Sequence, residues 1–232
     1  MERRALLRTL ENRLLGRYLN GCGIEIGALW RRFPVPSRAR VWQLDRLGAD
    51  GLDKHYPELR GRILLPDLIA DAMQLPVAPA SLDFLIASHV LEHLQSPLAA
   101  LRVWYEALAP EGALLLKVPD MRHTFDANRS RTLLARLIDE YYHPEKLDFR
   151  SHYCDWSEKV GGMSPGTPEF ERDVDNLMGV KYSIHFNVWT DEDVWEIIDF
   201  TRKEWGLDWR PAVFWRSRFY RKETTAILVR AK

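Results

Sequence analysis

LDFLIASHVLEHLQSPLAALRVWYEALAPEGALLLKVPD, residues 82–120, decides how the rest of the chain is read. It opens on one apolar run, LDFLIAS (82–88), and closes on another, GALLLKVP (112–119). Such runs, apolar at consecutive positions, suit strands covered on both faces. The piece between them reads as a helix: Ser96 is an N-cap, Pro97 holds the first helical position, and Pro110 and Gly112 bracket the stop. Strand, helix, strand implies two parallel strands joined by a right-handed crossover.

Towards the N-terminus the same grammar repeats. GIEIG (23–27), RVWQLD (40–45) and GRILL (61–65) read as three more strands. Ahead of them, residues 1–20 read as an amphipathic helix, with Leu6, Leu7, Leu10, Leu14 and Tyr18 at helical spacing and five arginines (Arg3, Arg4, Arg8, Arg13, Arg17) on its solvated face. Towards the C-terminus the alternation stops. From Pro119 to Thr190 no further parallel strand is legible, and seventy residues is too long for a bare loop. A helix over 131–143 and the spacer GGMSPGTP (161–168) make this segment an inserted cap, covering 119–189. The core resumes at Thr190, an N-cap followed by acids, with Gly206 at the helix stop. WRPAVFWRS and ETTAILVRA, joined by the basic turn RFYRK, form a closing hairpin. The expected architecture is a single α/β domain over 1–232: a doubly wound, Rossmann-like seven-stranded sheet, mainly parallel with an antiparallel C-terminal strand. Its parts are the helix 1–20, a cofactor-binding core 21–118, the cap, and a closing helix and hairpin over 190–232.

The bulk properties exclude several classes. Lys+Arg and Asp+Glu balance at 33 each over 232 residues, so no overall field draws the chain to nucleic acid. No apolar stretch approaches a membrane span, and the N-terminus lacks a signal peptide's apolar centre. Cys22 and Cys154 read as free thiols in a reducing cytoplasm.

In an open α/β sheet, ligands bind beyond the carboxyl ends of the strands. In NGCGIEIGALW (20–30) the glycine that matters is therefore Gly27; Gly21 and Gly23 precede the strand. Asp45 closes RVWQLD twenty residues after Glu25, the place for a carboxylate that accepts both ribose hydroxyls. DAMQLP then puts Asp71 and Ala72 after the third strand, where an adenine would lie.

At this point GIEIGAL, LDRL and the long stretch from DAMQLP to KVPD resemble a class I S-adenosylmethionine-dependent methyltransferase, over roughly Gly23 to Asp120. GIEIGAL with VPDMRHTFD and HFNVWT further resembles a bacterial branch linked with sugar and polysaccharide tailoring. The resemblance implies S-adenosylmethionine as cofactor. It puts Glu25 near the methionine amino group and makes Gly27, Ala28 and Leu29 the turn beneath the cofactor. Asp45 would take the ribose, Arg46 the adenine edge, Asp71, Ala72 and Met73 the adenine, and Ser88 and His89 the methionine side. One departure stands out: the family turn carries a second glycine where this chain has Leu29. Either the turn is altered and still admits the cofactor, or the domain is a non-catalytic binding or interaction module.

The implied acceptor is a small hydroxylated molecule, a sugar or glycan for preference, methylated on oxygen. A hydroxyl acceptor requires a base, and histidine titrates near neutral pH. VPDMRHTFD offers Asp120 and His123 after the fifth strand; the cap offers His152 and His185. The order of preference is His123, His185, then Asp120 and His152. HVLEH (89–93) also matches an inverted zinc-peptidase pattern, which on a helix would put His89 and His93 on one face with Glu92 as base. That zinc-hydrolase reading stays open as an alternative. Some sugar methyltransferases use magnesium at the acceptor, but no acidic cluster here identifies such a site.

Overall fold

The computed structural model describes residues 2–218 and 221–232, and the side chains from residue 9 onward within that range. Phe219 and Tyr220 of the RFYRK turn, and the side chains of the first eight residues, lie outside it. Seven strands, β1 (Cys22–Ile26), β2 (Arg40–Asp45), β3 (Leu68–Ile69), β4 (Leu82–Ser88), β5 (Leu108–Pro119), β6 (Trp209–Trp215) and β7 (Glu223–Arg230), form one sheet. Its order is β3-β2-β1-β4-β5-β7-β6. β1 to β5 pair in parallel, and β7 inserts antiparallel between β5 and β6. Among the described residues the α-helices are α1 (Glu2–Leu15), α2 (Ala49–His55), α3 (Pro97–Ala107), α4 (Leu134–Tyr142), α5 (Phe149–Lys159), α6 (Pro168–Gly179) and α7 (Asp191–Trp205).

Alternation along the central strands fills both faces of the sheet. Leu85 and Ala87, Leu114 and Leu116, and Ala226 and Leu228 point to one face, where they meet Trp104 of α3 and Ile197 and Ile198 of α7. Phe84 and Ile86, Ala113 and Leu115, and Ile227 and Val229 point to the other, beneath Leu15 and Leu19. The helix-forming N-terminal segment therefore buries its last turn rather than the face carrying Leu10 and Leu14, which stay 47% and 43% exposed.

Two strand boundaries differ from the sequence reading. GRILL is not the third strand: residues 61–65 run as turn and loop, and β3 begins two residues after Pro66. Proline has no N–H to give a ladder, and Asp67 anchors the approach instead, accepting from Gln43 N at 2.7 Å and donating its own N–H to Gln43 O at 2.8 Å. β5 starts at Leu108 rather than Gly112, with a register shift between its Leu82↔Leu108 and Phe84↔Ala113 pairs and Glu111 at φ 63.

GCG is explained by packing. A Cβ on Gly23 would stand 2.4 Å from the Phe84 ring and 2.5 Å from its carbonyl oxygen, so only glycine lets β1 lie this close to β4.

Between β5 and α7 the chain carries α4, α5 and α6. The two ends of this excursion meet: Asp120 bridges to Trp189, and Met121 N donates to Trp189 O at 2.9 Å. α5 and α6 share a small core of Tyr153, Phe170, Val174, Ile184 and Phe186. Thr190 caps α7 through a reciprocal box with Asp193. Among the described residues, no helix is long and apolar enough to cross a membrane.

Candidate active site

The strand order reverses between β1 and β4, and the loops after β1, β2, β3 and β4 open a groove there. It encloses about 650 Å³ including its mouth, and Gly27, Leu29, Asp45, Arg46, Tyr56, Asp71, Ala72, His89, His93 and Ser183 line it. Gly27 turns at φ 63, its N–H held by Leu44 O at 2.9 Å, and a Cβ there would press on Val90 Cγ2 at 3.3 Å. Leu29 also takes a left-handed backbone, φ 49. The position where the family pattern has its second glycine thus keeps a glycine-like conformation while carrying a leucine, and its carbonyl accepts Leu64 N.

Asp45 ends β2 with its carboxylate in the groove; burial raises its pKa above the ordinary 3.8, against a long 3.4 Å bond from Leu47 N. Asp71 folds back on Met73 N at 2.7 Å, and Ala72 is held through its carbonyl by Trp104 Nε1 at 2.8 Å. Arg46 reaches across to the cap, donating to Lys181 O at 3.2 Å and to His55 Nε2 at 3.1 Å. Ser183 N donates to that same nitrogen, so His55 is an acceptor there; burial first, and then Arg46, lower its pKa.

Beyond Gly27 a second hollow continues the groove, lined by Glu25, Ala28, Arg31, Arg32, Ser88, His89, Lys117 and Glu223 among others. Glu25 is buried and already committed, accepting from Phe33 N at 2.7 Å and Gln43 Nε2 at 3.1 Å; burial raises its pKa against those bonds. It holds the 27–33 loop as well as lining the hollow. His89 sits at φ 57 after β4 with Nε2 2.8 Å from Glu223, which also binds Lys117. Burial alone would lower His89, but Glu223 and Glu92 outweigh it and carry it to about 10, while Glu223 falls to about 2 as His89 and Lys117 outweigh its own burial.

This donor set fits an adenosyl sulfonium cofactor. Carboxylates at Asp45 and Asp71 suit hydroxyl and amino donors, and the cations and acids of the second hollow suit an amino acid's two charges. The glycine-rich helix N-terminus that a pyrophosphate needs is missing from the turn: Gly27 leads into loop up to β2.

The four predicted bases part company. His123 lines a separate surface hollow with Arg122, Asp191, Glu192, Arg216 and Ser217. Asp120 is fully buried and accepts from Arg122 and Ser217, whose bonds outweigh burial and lower its pKa. His152 accepts from Arg136 Nη2 at 2.6 Å; burial, then the arginine charge, push it down to about 4. His185 lies beside the core instead. Its Nδ1 is 2.8 Å from Asp126, its ring packs edge-on against His93 at 4.7 Å, and Arg129 clamps both Asp126 and the His185 carbonyl.

His93 and Glu92 belong to a single 3-10 turn, Leu91–His93, with His89 outside it and aimed at Glu223. The two histidines of HVLEH therefore do not share a helix face. Sequence reading missed the lining residues Tyr56 and Ser183, which meet the groove from 127 positions apart, and the Lys117–Glu223 pair. The latter had a signal: Lys117 interrupts the apolar run ALLLKVP, and Glu223 opens the strand that pairs with it.

A second cleft runs between core and cap, lined by Phe149, Tyr153, Tyr182 and Phe186 and by Gln95, His93, Ser183 and Lys181. It shares Arg46, Asp71, His93, Leu94 and Ser183 with the groove.

Residues 21–116 match the methyltransferase domain family. None of the curated proteins matches the chain. Among solved structures, the PH0226 protein of Pyrococcus horikoshii OT3 is similar at 14% identity over 99% of this chain and 92% of that one, with a TM-score of 0.52. A Rhodobacter sphaeroides protein provisionally described as a Zn-dependent alcohol dehydrogenase is similar at 14% identity over 96% and 90%, with a TM-score of 0.55. The CurJ carbon methyltransferase is 17% identical over 92% of this chain at a TM-score of 0.45, and this chain spans 50% of its length. At such identities the structural likeness shows a shared fold alone. That fold is Rossmann-like, and the matched methyltransferase domain implies S-adenosylmethionine as the cofactor.

Proposed function

We propose that this chain, built on a class I fold for S-adenosylmethionine, methylates an oxygen of a small hydroxylated acceptor of the sugar or glycan class. One observation carries the acceptor reading. The core–cap cleft opens onto the cofactor groove and combines aromatic faces with hydrogen-bonding rims. Aromatic rings cover the apolar faces of a sugar ring while Gln95, Ser183 and Lys181 meet its hydroxyls.

When bound, the cofactor supplies an activated methyl group on a sulfonium. The chain's own work is to align the acceptor, exclude water and take a proton. In this reading Asp45 and Asp71 grip the nucleoside, and the protonated His89, held by Glu223, supplies fixed positive charge at the methionine end. His93, which lines both groove and cleft and is backed by Glu92 and His185, is the group that meets the acceptor proton.

The test is a screen of sugars and glycan fragments with methyl-labelled cofactor. The expected result is label recovered on an acceptor oxygen, reduced at least tenfold by Tyr182→Ala. Label only on nitrogen or carbon, or transfer indifferent to the cleft variant, would defeat the acceptor reading.

A further inference from the structure

Glu92 is buried completely, yet neither carboxylate oxygen has a hydrogen-bond partner. The nearest basic atom, His89 Nδ1, stands 3.5 Å from Oε1, beyond good hydrogen-bond length, and His89 spends its other nitrogen on Glu223. A carboxylate in that state is costly unless something else meets it. Two imidazoles stand next to it. Among the described residues, Glu92, His93 and His185 each offer a ligand atom within 4.8 Å of the others.

The hydrogen bonds of the two histidines fix what they offer. His93 Nδ1 lies 2.9 Å from Ile184 O, and a carbonyl only accepts, so that nitrogen carries the proton. His185 Nδ1 lies 2.8 Å from Asp126, itself held by Arg129. With Nδ1 engaged in each ring, Nε2 is the nitrogen left to meet a ligand. Metal-binding histidines are oriented in the same way, by a carbonyl or carboxylate on the far nitrogen. We propose that Glu92, His93 and His185 bind one divalent first-row transition cation of the zinc type. Two imidazoles and one carboxylate suit zinc, cobalt or iron(II) rather than magnesium, which prefers oxygen ligands. Three protein ligands leave a coordination position free, as in catalytic rather than structural zinc sites. The site also joins the cap to the core: Asn187 N donates to Glu92 O at 3.1 Å and Asn187 Nδ2 to Leu94 O at 2.8 Å, beside the ligand turn. Binding does not depend on what the acceptor is.

The experiment uses the full chain, stripped with chelator and titrated with Co²⁺ by calorimetry and visible absorption, then repeated with Zn²⁺ and Mg²⁺. The expectation is one equivalent of Co²⁺ or Zn²⁺. Binding should weaken more than ~100-fold in Glu92→Gln and His185→Gln and be kept in His143→Gln, a solvent-exposed histidine. S-adenosylmethionine binding and circular dichroism report whether the variants fold. X-ray absorption on the zinc-loaded wild type should show two imidazoles and oxygen, and it decides the matter should either variant be unfolded. No stoichiometric Co²⁺ or Zn²⁺, binding indifferent to both substitutions, binding of Mg²⁺ alone, or sulfur in the first shell would overturn the assignment.

Discussion

Replacing Asp45 with alanine should push cofactor affinity and apo stability in opposite directions. Asp45 ends β2 inside the groove, where burial raises its pKa and one long bond from Leu47 N is a weak return for an ionised side chain. With Asp45 as the proposed acceptor of ribose hydroxyls, alanine removes charge-assisted hydrogen bonds worth about 1.5–3 kcal/mol. At about 1.4 kcal/mol per decade, that weakens S-adenosylmethionine binding roughly ten- to 150-fold. The apo protein should respond the other way. A carboxyl whose folded pKa is raised favours folding when protonated, and that contribution is lost as pH rises from 3.8 through the folded value. Near neutral pH the wild type therefore carries a penalty that Asp45→Ala lacks, so the apo variant should melt higher, by a margin that shrinks as pH falls toward 3.8. Calorimetric titration with S-adenosylmethionine and its demethylated product, beside apo thermal melts between pH 4 and 8, reads both. Affinity within about threefold of wild type, or an apo variant less stable at pH 7 than wild type, would refute the reasoning.

Glu223→Gln should bring His89 down from about 10 toward 6.5, read by NMR titration of its ring protons; a value that stays near 10 sinks the pairing. Because Glu223 is lowered and His89 raised, the stability difference from wild type should peak between the ordinary values of 4.5 and 6.5 and fade toward pH 2 and 10. Gly23→Ala should cost about 1–3 kcal/mol in denaturant unfolding, since its Cβ meets the Phe84 backbone; a loss under ~0.5 kcal/mol would show that β1 can shift. Leu29→Gly should leave cofactor affinity within about threefold of wild type, the backbone already being left-handed there; a large gain or loss in titration would mean the leucine side chain shapes the groove.

The doubly wound sheet, its two covered faces and several residues lining the groove were written locally in the chain. Periodicity is a property of neighbours in sequence, and Gly27, Asp45 and Asp71 follow their strands directly, so naming the strand names the groove residue. Even the miss at GRILL left Asp71 in the groove, because the strand that does form, Leu68–Ile69, ends just before it. What the chain did not spell out was every contact made across it. Whether His123 or His185 turns toward the core depends on how the cap folds back, and Arg129, Asp126 and Asn187 decide that through contacts spanning up to 95 residues. In the sequence Glu92 reads as the base of the alternative zinc-hydrolase motif; only burial without a hydrogen-bond partner, beside two imidazoles, makes it a candidate ligand. Sequence alone determined the doubly wound pattern and the residues that close β1 and β2, because those follow from local spacing. Tertiary structure decided which charges are buried together, because burial and ion pairing are set by distance in space.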